Sequence, residues 1–362
     1  MGQRERDIWS VNPHVKNYWT LACRSGSLRP RCCPTQRKPR KVNDLRSHPE
    51  LNRDSILAAS KRIAGCVKRT PLLECHIDGA RIWLKCESLQ TGGAFKLRGA
   101  TNRLLQLSEE DRARGVVAFS SGNHAQGVAI AAKRLDMRAT IVMPADAPAL
   151  KVEGTRAQGA DIVFYDRRSE SREEIAARIA AEQGSTVVPS FDDVDIITGQ
   201  GTAGVEIDEQ SGGGAVTHIV VPCGGGGLAA GLALALPDAA ITIVEPEGWD
   251  DMGRSLALGQ IVPVEPDAPS TLCDALQTPR VSPLTFGVLQ SAGATAVSVN
   301  DSEAKRAIGW AWREHGLTLE AGGAVALAAV LTGKVRAADG MVILLSGGNI
   351  DPALHAKIIA GV

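Results

Sequence analysis

Apolar positions along this chain switch between two periods, and the switching gives a first reading of its architecture. From Asn52 to Ala64 the spacing of Ile56, Leu57 and Ile63 predicts an amphipathic helix. Arg69-Thr70-Pro71-Leu72 breaks it, and Ala80 to Lys85 (ARIWLK) reads as a strand leading to Glu87. Beyond a helix that starts near Lys96, short apolar runs predict strands at 116–119, 139–143, 161–165 and 186–188. Helical patterns separate them, one after a loop within 120–135 and others at 150–158 and 171–183. A second run begins near Ile196, with helices at 199–209, 228–236, 302–315 and 323–331 and strands at 217–221, 240–245, 295–299 and 341–345. Strand-helix-strand repeats of this length predict an α/β fold, with parallel-rich sheets carrying helices on both faces.

Composition agrees and adds limits. A chain of 362 residues holds one large or two moderate domains with a substantial core. Its 38 glycines and 4% aromatic content suit an Ala/Gly/Val-rich α/β enzyme. No apolar run is long enough to span a bilayer, so no membrane partner is expected. The net charge of zero hides an asymmetry. Residues 1–46 carry 11 Lys and Arg against 3 acidic residues, a net +8, which leaves 29 basic and 37 acidic residues, a net −8, for the body. An acidic body argues against nucleic acid as a partner. The first 46 residues lack apolar periodicity and are expected to be a disordered basic extension, or the product of a start codon placed too far upstream. The eight cysteines (23, 32, 33, 66, 75, 86, 223 and 273) form no C-x-x-C pair and follow no secretory h-region. Reduced thiols in a cytoplasmic protein are the economical reading.

Four stretches carry candidate chemistry: SLQTGGAFKLRGA (88–100), SSGNHAQG (120–127), CGGGGLAAG (223–231) and LSGGNID (345–351). Each alone has an ordinary explanation as a surface lysine, a capped helix start, a tight turn or a strand end. The second and third each follow a predicted strand and open a helix, where free backbone N–H groups can bind an anion. Consecutive glycines at 224–227 let such groups crowd around a phosphate. Gly225, Gly227 and Gly231 with Glu245 also mimic a dinucleotide fingerprint, although the last glycine spacing is longer by one residue. A nicotinamide oxidoreductase is thus one alternative, and a non-catalytic amino-acid-binding regulator is another.

Taken together and in this order, the four motifs resemble the fold-type-II pyridoxal-phosphate enzymes, in the threonine/serine dehydratase and serine racemase branch, from about Pro49 to the C-terminus. The resemblance implies a two-domain, tryptophan synthase β-like fold. Residues 47–112 and 192–362 would form a large cofactor-binding domain, and 113–191 a small mobile one. It implies pyridoxal 5′-phosphate held as a Schiff base by Lys96, with Phe95 packed nearby, Asn123 on the cofactor's 3′-oxygen, and Gly224, Gly225, Gly226, Gly227 and Leu228 around its phosphate. Ser346 would face the pyridine nitrogen, while Glu320 and Phe191 would lie near the ring. Ser120, Ser121, Gly122 and His124 would grip the substrate carboxylate, with Arg172 approaching on closure.

Lys96 and Ser121 are the implied catalytic pair, one on each face of Cα, and the hydroxyl at 121 leaves racemisation open. Glu245, Asp251 and the Trp249 carbonyl resemble a divalent-cation site, whose oxygen ligands suit Mg²⁺ or Ca²⁺. The implied reaction is β-elimination of L-threonine or L-serine to 2-oxobutyrate or pyruvate plus ammonia. Serine racemase and 3-hydroxyaspartate-type dehydratase are alternatives with the same site, and a homodimer or homotetramer is the implied assembly. Residues 271–286 match the family's pattern only loosely, which puts substrate choice in doubt. Few residues follow the last motif, so the regulatory domain of biosynthetic threonine dehydratases is not expected.

Overall fold

The computed structural model describes residues 48–361 except Ser121 and Pro148. The expectations for residues 1–46 therefore lie outside the described residues, as does Ser121. The chain opens with helix α1 (Arg53–Ile63), whose Asn52 side chain accepts from the Ser55 amide as N-cap. A hairpin of β1 (Leu72–Ile77) and β2 (Ala80–Lys85) follows. Next come α2 (Lys96–Leu105), α3 (Glu109–Arg114), β3 (Val116–Phe119), α4 (Asn123–Arg134), β4 (Ala139–Pro144), α5 (Ala149–Arg156), β5 (Asp161–Tyr165), α6 (Arg172–Gln183) and β6 (Thr186–Val187). The second run is α7 (Val194–Ser211), β7 (His218–Pro222), α8 (Gly227–Ala235), β8 (Ala240–Pro246), α9 (Asp251–Leu258), α10 (Pro283–Ser291), β9 (Thr295–Val299), α11 (Asp301–His315), α12 (Ala321–Leu331), β10 (Met341–Leu344) and α13 (Pro352–Ala360).

The strands form two sheets. Six pair in the order β1-β2-β10-β7-β8-β9, and four in the order β5-β4-β3-β6. All pairings are parallel except β1 with β2, which turn back through Asp78 and Gly79, both at positive φ. That two-residue turn is a hairpin signal, and the strand before it was not expected. Helices α3, α9, α10 and α13 were also not expected, although Ser282-Pro283 and Asp351-Pro352 each place a capping side chain before a proline at the first helical position.

Burial explains the layers. On one face of the six-stranded sheet, β2 and β10 residues Ile82, Leu84, Met341 and Ile343 share a core with α11 and α12. On the other, Ile219, Val221 and Ile243 pack with α7, α8 and α10. Helix α12, AGGAVALAAVL, is buried all round, which its small side chains permit. The four-stranded sheet has its own core, where Val116, Ala118 and Ile141 meet α4 and the Leu97, Ala100 and Leu104 side of α2. Helix α2 also packs against α7. The helix that begins at Lys96 is thus the seam between the elements of the two sheets.

Candidate active site

Four helices begin at one cavity of about 310 Å³: α2 at Lys96, α4 at Asn123, α8 at Gly227 and α12 at Ala321. None has a side-chain cap, although α1, α6 and α7 elsewhere do. First-turn N–H groups at such ends have no partner within their helix, and the helix dipole makes each end a partial positive charge. Convergence of these ends gives the cavity two features: it favours anions, and it disfavours a protonated amine.

Lys96, at the start of α2, is the amine on this wall. Its Nζ donates to the Ser190 carbonyl oxygen at 2.8 Å and lies 5.3 Å from the centre of the Phe95 ring. Burial brings its pKa down from 10.5 to about 8, so a neutral, nucleophilic amine is accessible near neutrality. His124, on α4, offers Nε2 to the Val188 carbonyl at 3.0 Å. Burial, and then the neighbouring Lys96 charge, push His124 down to about 3, so it is a neutral imidazole. Its Nδ1 is buried without a partner.

The glycine loop forms another part of the wall. A Cβ built on Gly225 would stand 2.2 Å from the Phe191 ring, so only glycine fits there with Phe191 in place. Gly226 holds φ +85° as it caps α8, and Leu228 in the first helical turn is 2% exposed.

Glu320 is buried at the start of α12 and accepts from Asn123 Nδ2. Asn123 Oδ1 in turn accepts from Asn349 Nδ2 at 2.8 Å. Burial raises Glu320 to about 7, the nearby Lys151 opposing, and its Oε2 has no partner. A Cβ at Gly347 would fall 2.0 Å from Glu320 Oε1, which explains a glycine directly after Ser346. Ser346 is 5% exposed, and its carbonyl accepts from the Phe95 amide at 3.2 Å, which ties the last motif to the first.

Of the expected site residues, Phe95, Lys96, Ser120, Gly122, Asn123, His124, Arg172, Phe191, Gly224 to Leu228, Glu320 and Ser346 all line this cavity. Arg172 sits over the Phe119 ring at 5.4 Å and pairs with Glu173 at 2.8 Å.

Glu245, Trp249 and Asp251 do not line it. They lie behind the glycine loop, where the Met252 side chain approaches Gly226. Glu245 accepts from the Met252 and Gly253 amides at 3.0 and 2.8 Å, and Asp251 accepts from the Val281 amide at 2.9 Å. Both carboxyls are buried. Burial raises Glu245 well above the usual carboxylate range and Asp251 to about 7. Among the described residues, no group of three or more His, Cys, Asp or Glu is placed to hold a metal ion.

Residues 274–278, within the loosely matching stretch 271–286, also line the cavity. Sequence reasoning missed the rest of the charged rim: Asp146 and Arg167 line the cavity, and Lys151 on α5 pairs with Asp274. No local motif marks these pairings, because partners such as Lys151 and Asp274 are 123 residues apart.

Comparison with known proteins agrees with this geometry. A family model described as "Pyridoxal-phosphate dependent enzyme" matches residues 63–347. An L-threo-3-hydroxyaspartate ammonia-lyase from a Pseudomonas species is 40% identical over 315 residues, covering 84% of this chain and 98% of the relative. An L-threonine ammonia-lyase from Thermotoga maritima is 38% identical over 314 residues, covering 84% of this chain and 77% of the relative. The solved structure of maize serine racemase superposes with a TM-score of 0.80 at 36% identity, over 86% of this chain and 97% of that one. The chain therefore belongs to the pyridoxal-phosphate dependent enzymes of fold type II, among the ammonia-lyases and racemases.

Proposed function

We propose that this chain is an ammonia-lyase that eliminates the β-hydroxyl of L-threonine and/or L-serine, giving 2-oxobutyrate or pyruvate and ammonia. The observation that carries the reading is the buried Lys96 amine, lowered to about 8, on the wall of a cavity where four uncapped helices begin. Those residues fit pyridoxal phosphate. The open amides at the start of α8 would hold the phosphate, Lys96 would anchor the carbonyl carbon, and Asn123 and the Ser346 hydroxyl would contact the ring's polar atoms. When bound, the cofactor supplies the electron sink that makes the Cα proton removable.

The remaining roles belong to the chain. Ser120, Gly122 and the neutral His124 surround the first turn of α4, so a substrate carboxylate there meets hydrogen-bond donors and a positive helix end. In the neutral ring Nε2 carries the proton that it donates to the Val188 carbonyl, so Nδ1, buried without a protein partner, is an acceptor, and the donors to the carboxylate are the α4 amides and the Ser120 hydroxyl. Lys96 Nζ, once free, takes the Cα proton as general base. We assign Ser121 to the opposite face of Cα by the motif alone. Residues 113–191, with Arg172, would form the smaller unit that closes over the substrate. Closure would exclude water from the amine.

The activities of the relatives, 3-hydroxyaspartate ammonia-lyase and serine racemase, support a second reading with the same residues. Glu245, Asp251 and the Trp249 carbonyl are proposed to hold Mg²⁺ or Ca²⁺. The support is that both carboxyls are buried, that the Asp251 charge is near enough to raise Glu245, and that Asp251 Oδ1 has no partner. Added cation should raise the melting temperature of EDTA-treated protein, and no change would remove the metal from the proposal.

The principal test is the absorbance of the purified full-length protein, before and after L-threonine or L-serine is added. The expected result is the yellow of lysine-bound cofactor, changing as 2-oxo acid accumulates, with both lost in Lys96→Ala. Turnover by Lys96→Ala with an unchanged spectrum would refute the assignment.

A further inference from the structure

The cavity's charged rim bears on which amino acid enters. Lys151 extends from α5 with a side chain only 7% exposed and pairs with Asp274, which is 39% exposed and lines the cavity. Its Nζ is close to the carboxylate-binding loop: a Cβ built on Gly122 would stand 3.5 Å from it. The other cations on the rim are also matched. Arg167 pairs with Asp146 at 2.7 Å, Arg172 with Glu173 at 2.8 Å, and His124 is neutral. Among the described residues lining the cavity, Lys96 is the one lysine or arginine without a carboxylate partner, and the proposed chemistry uses it. A substrate with one carboxylate can be held by the start of α4. A second carboxylate would find no unmatched cation, and would find Asp274 close by.

We propose that Asp274 is a resident counter-ion that occupies the place of a substrate's second carboxylate on Lys151, and so makes the site select serine or threonine over 3-hydroxyaspartate. This rests on the proposed function, since it takes the start of α4 as the seat of the α-carboxylate. Two consequences follow from the chemistry. Removing the Asp274 charge leaves a nearly buried ammonium, next to the Gly122 loop that lines the cavity, without its partner, which is costly until an anion arrives. A dicarboxylate would then supply that anion. Removing Lys151 as well should erase the gain, because neither charge remains to be matched.

The test measures binding of succinate, the four-carbon dicarboxylate, and butyrate, its monocarboxylate counterpart, to the cofactor-loaded full-length protein by calorimetry. One charge-assisted hydrogen bond gained corresponds to roughly tenfold or more in affinity. Asp274→Asn and Asp274→Ser are both expected to tighten succinate by that factor, leave butyrate nearly unchanged, and lose the gain when Lys151→Met is added. The ratio of kcat/KM for 3-hydroxyaspartate to that for L-serine should rise in the same variants. The proposal is overturned if succinate affinity is unchanged in both single variants, if the gain survives Lys151→Met, or if butyrate tightens equally. Asp274 is partly exposed and outside the core, so loss of fold is not expected. Far-UV circular dichroism checks that each variant is folded. A wild type that fails to bind the cofactor, or releases ammonia from none of the three amino acids, would defeat the functional reading instead.

Discussion

Replacing Arg98 with methionine is expected to be among the most destabilising single changes in this chain. Arg98 is fully buried on α2, two residues after Lys96. Its Nε and Nη2 grip the two oxygens of Glu87 at 2.8 Å each, and Nη1 and Nη2 grip those of Glu206 at 2.7 and 2.8 Å. Lys85, also fully buried, donates to Glu206 at 2.6 Å and to the Thr70 carbonyl at 2.9 Å. Two cations and two carboxylates therefore balance in a region closed to water. Methionine keeps much of the apolar stem but leaves two buried carboxylates facing one lysine.

Breaking a buried pair in this way costs about 3–5 kcal/mol, whereas an exposed salt bridge is worth about 0–1. Urea unfolding, followed by both fluorescence and far-UV circular dichroism, gives the loss where the two probes coincide. Adding Glu87→Leu to Arg98→Met should recover part of the loss, because one uncompensated charge is removed. At 100° per residue, Arg98 and Lys96 project from nearly opposite sides of α2. The variant should therefore also lower kcat by loosening the base. A loss below about 1 kcal/mol, the size of a surface pair, would refute the view that this cluster is closed to water.

Other expectations concern the site. In cofactor-free protein, the rate at which Lys96 captures pyridoxal phosphate should rise about tenfold per pH unit and level off above about 8, since only the neutral amine attacks; a flat profile from acid to alkaline pH would show that burial does not set its pKa. Because the folded value is below the 10.5 of the free side chain, the unfolded chain holds more protons between about 8 and 10.5, and this group's destabilising contribution shrinks as pH rises through that window. Gly225→Ala places a Cβ 2.2 Å from the Phe191 ring and should weaken cofactor retention, with Phe191→Ala restoring it; wild-type retention would mean that the loop is more yielding than its geometry indicates. Ser121→Ala should keep ammonia release while abolishing any D-serine formed from L-serine, as read by chiral chromatography, and undiminished D-serine would remove Ser121 from the opposite face.

The sequence by itself determined the local pieces. Strands β5 and β9 fall at the residues expected, and α2, α4 and α8 begin within a residue or two of their motifs, because period and glycines act over a few neighbours. The motifs also determined most of the cavity wall, since each lies in a loop that immediately precedes a helix. Tertiary structure decided the rest. Strand order places β10 between β2 and β7, and only this brings Ser346 beside Phe95 from the far end of the chain. The pairing of Lys151 with Asp274, and of Arg98 with Glu206 across 108 residues, follows from how the helices pack and leaves no local pattern to read. The lowered pKa of Lys96 has the same origin: a lysine in a motif is only a lysine until folding removes the water that would keep it charged.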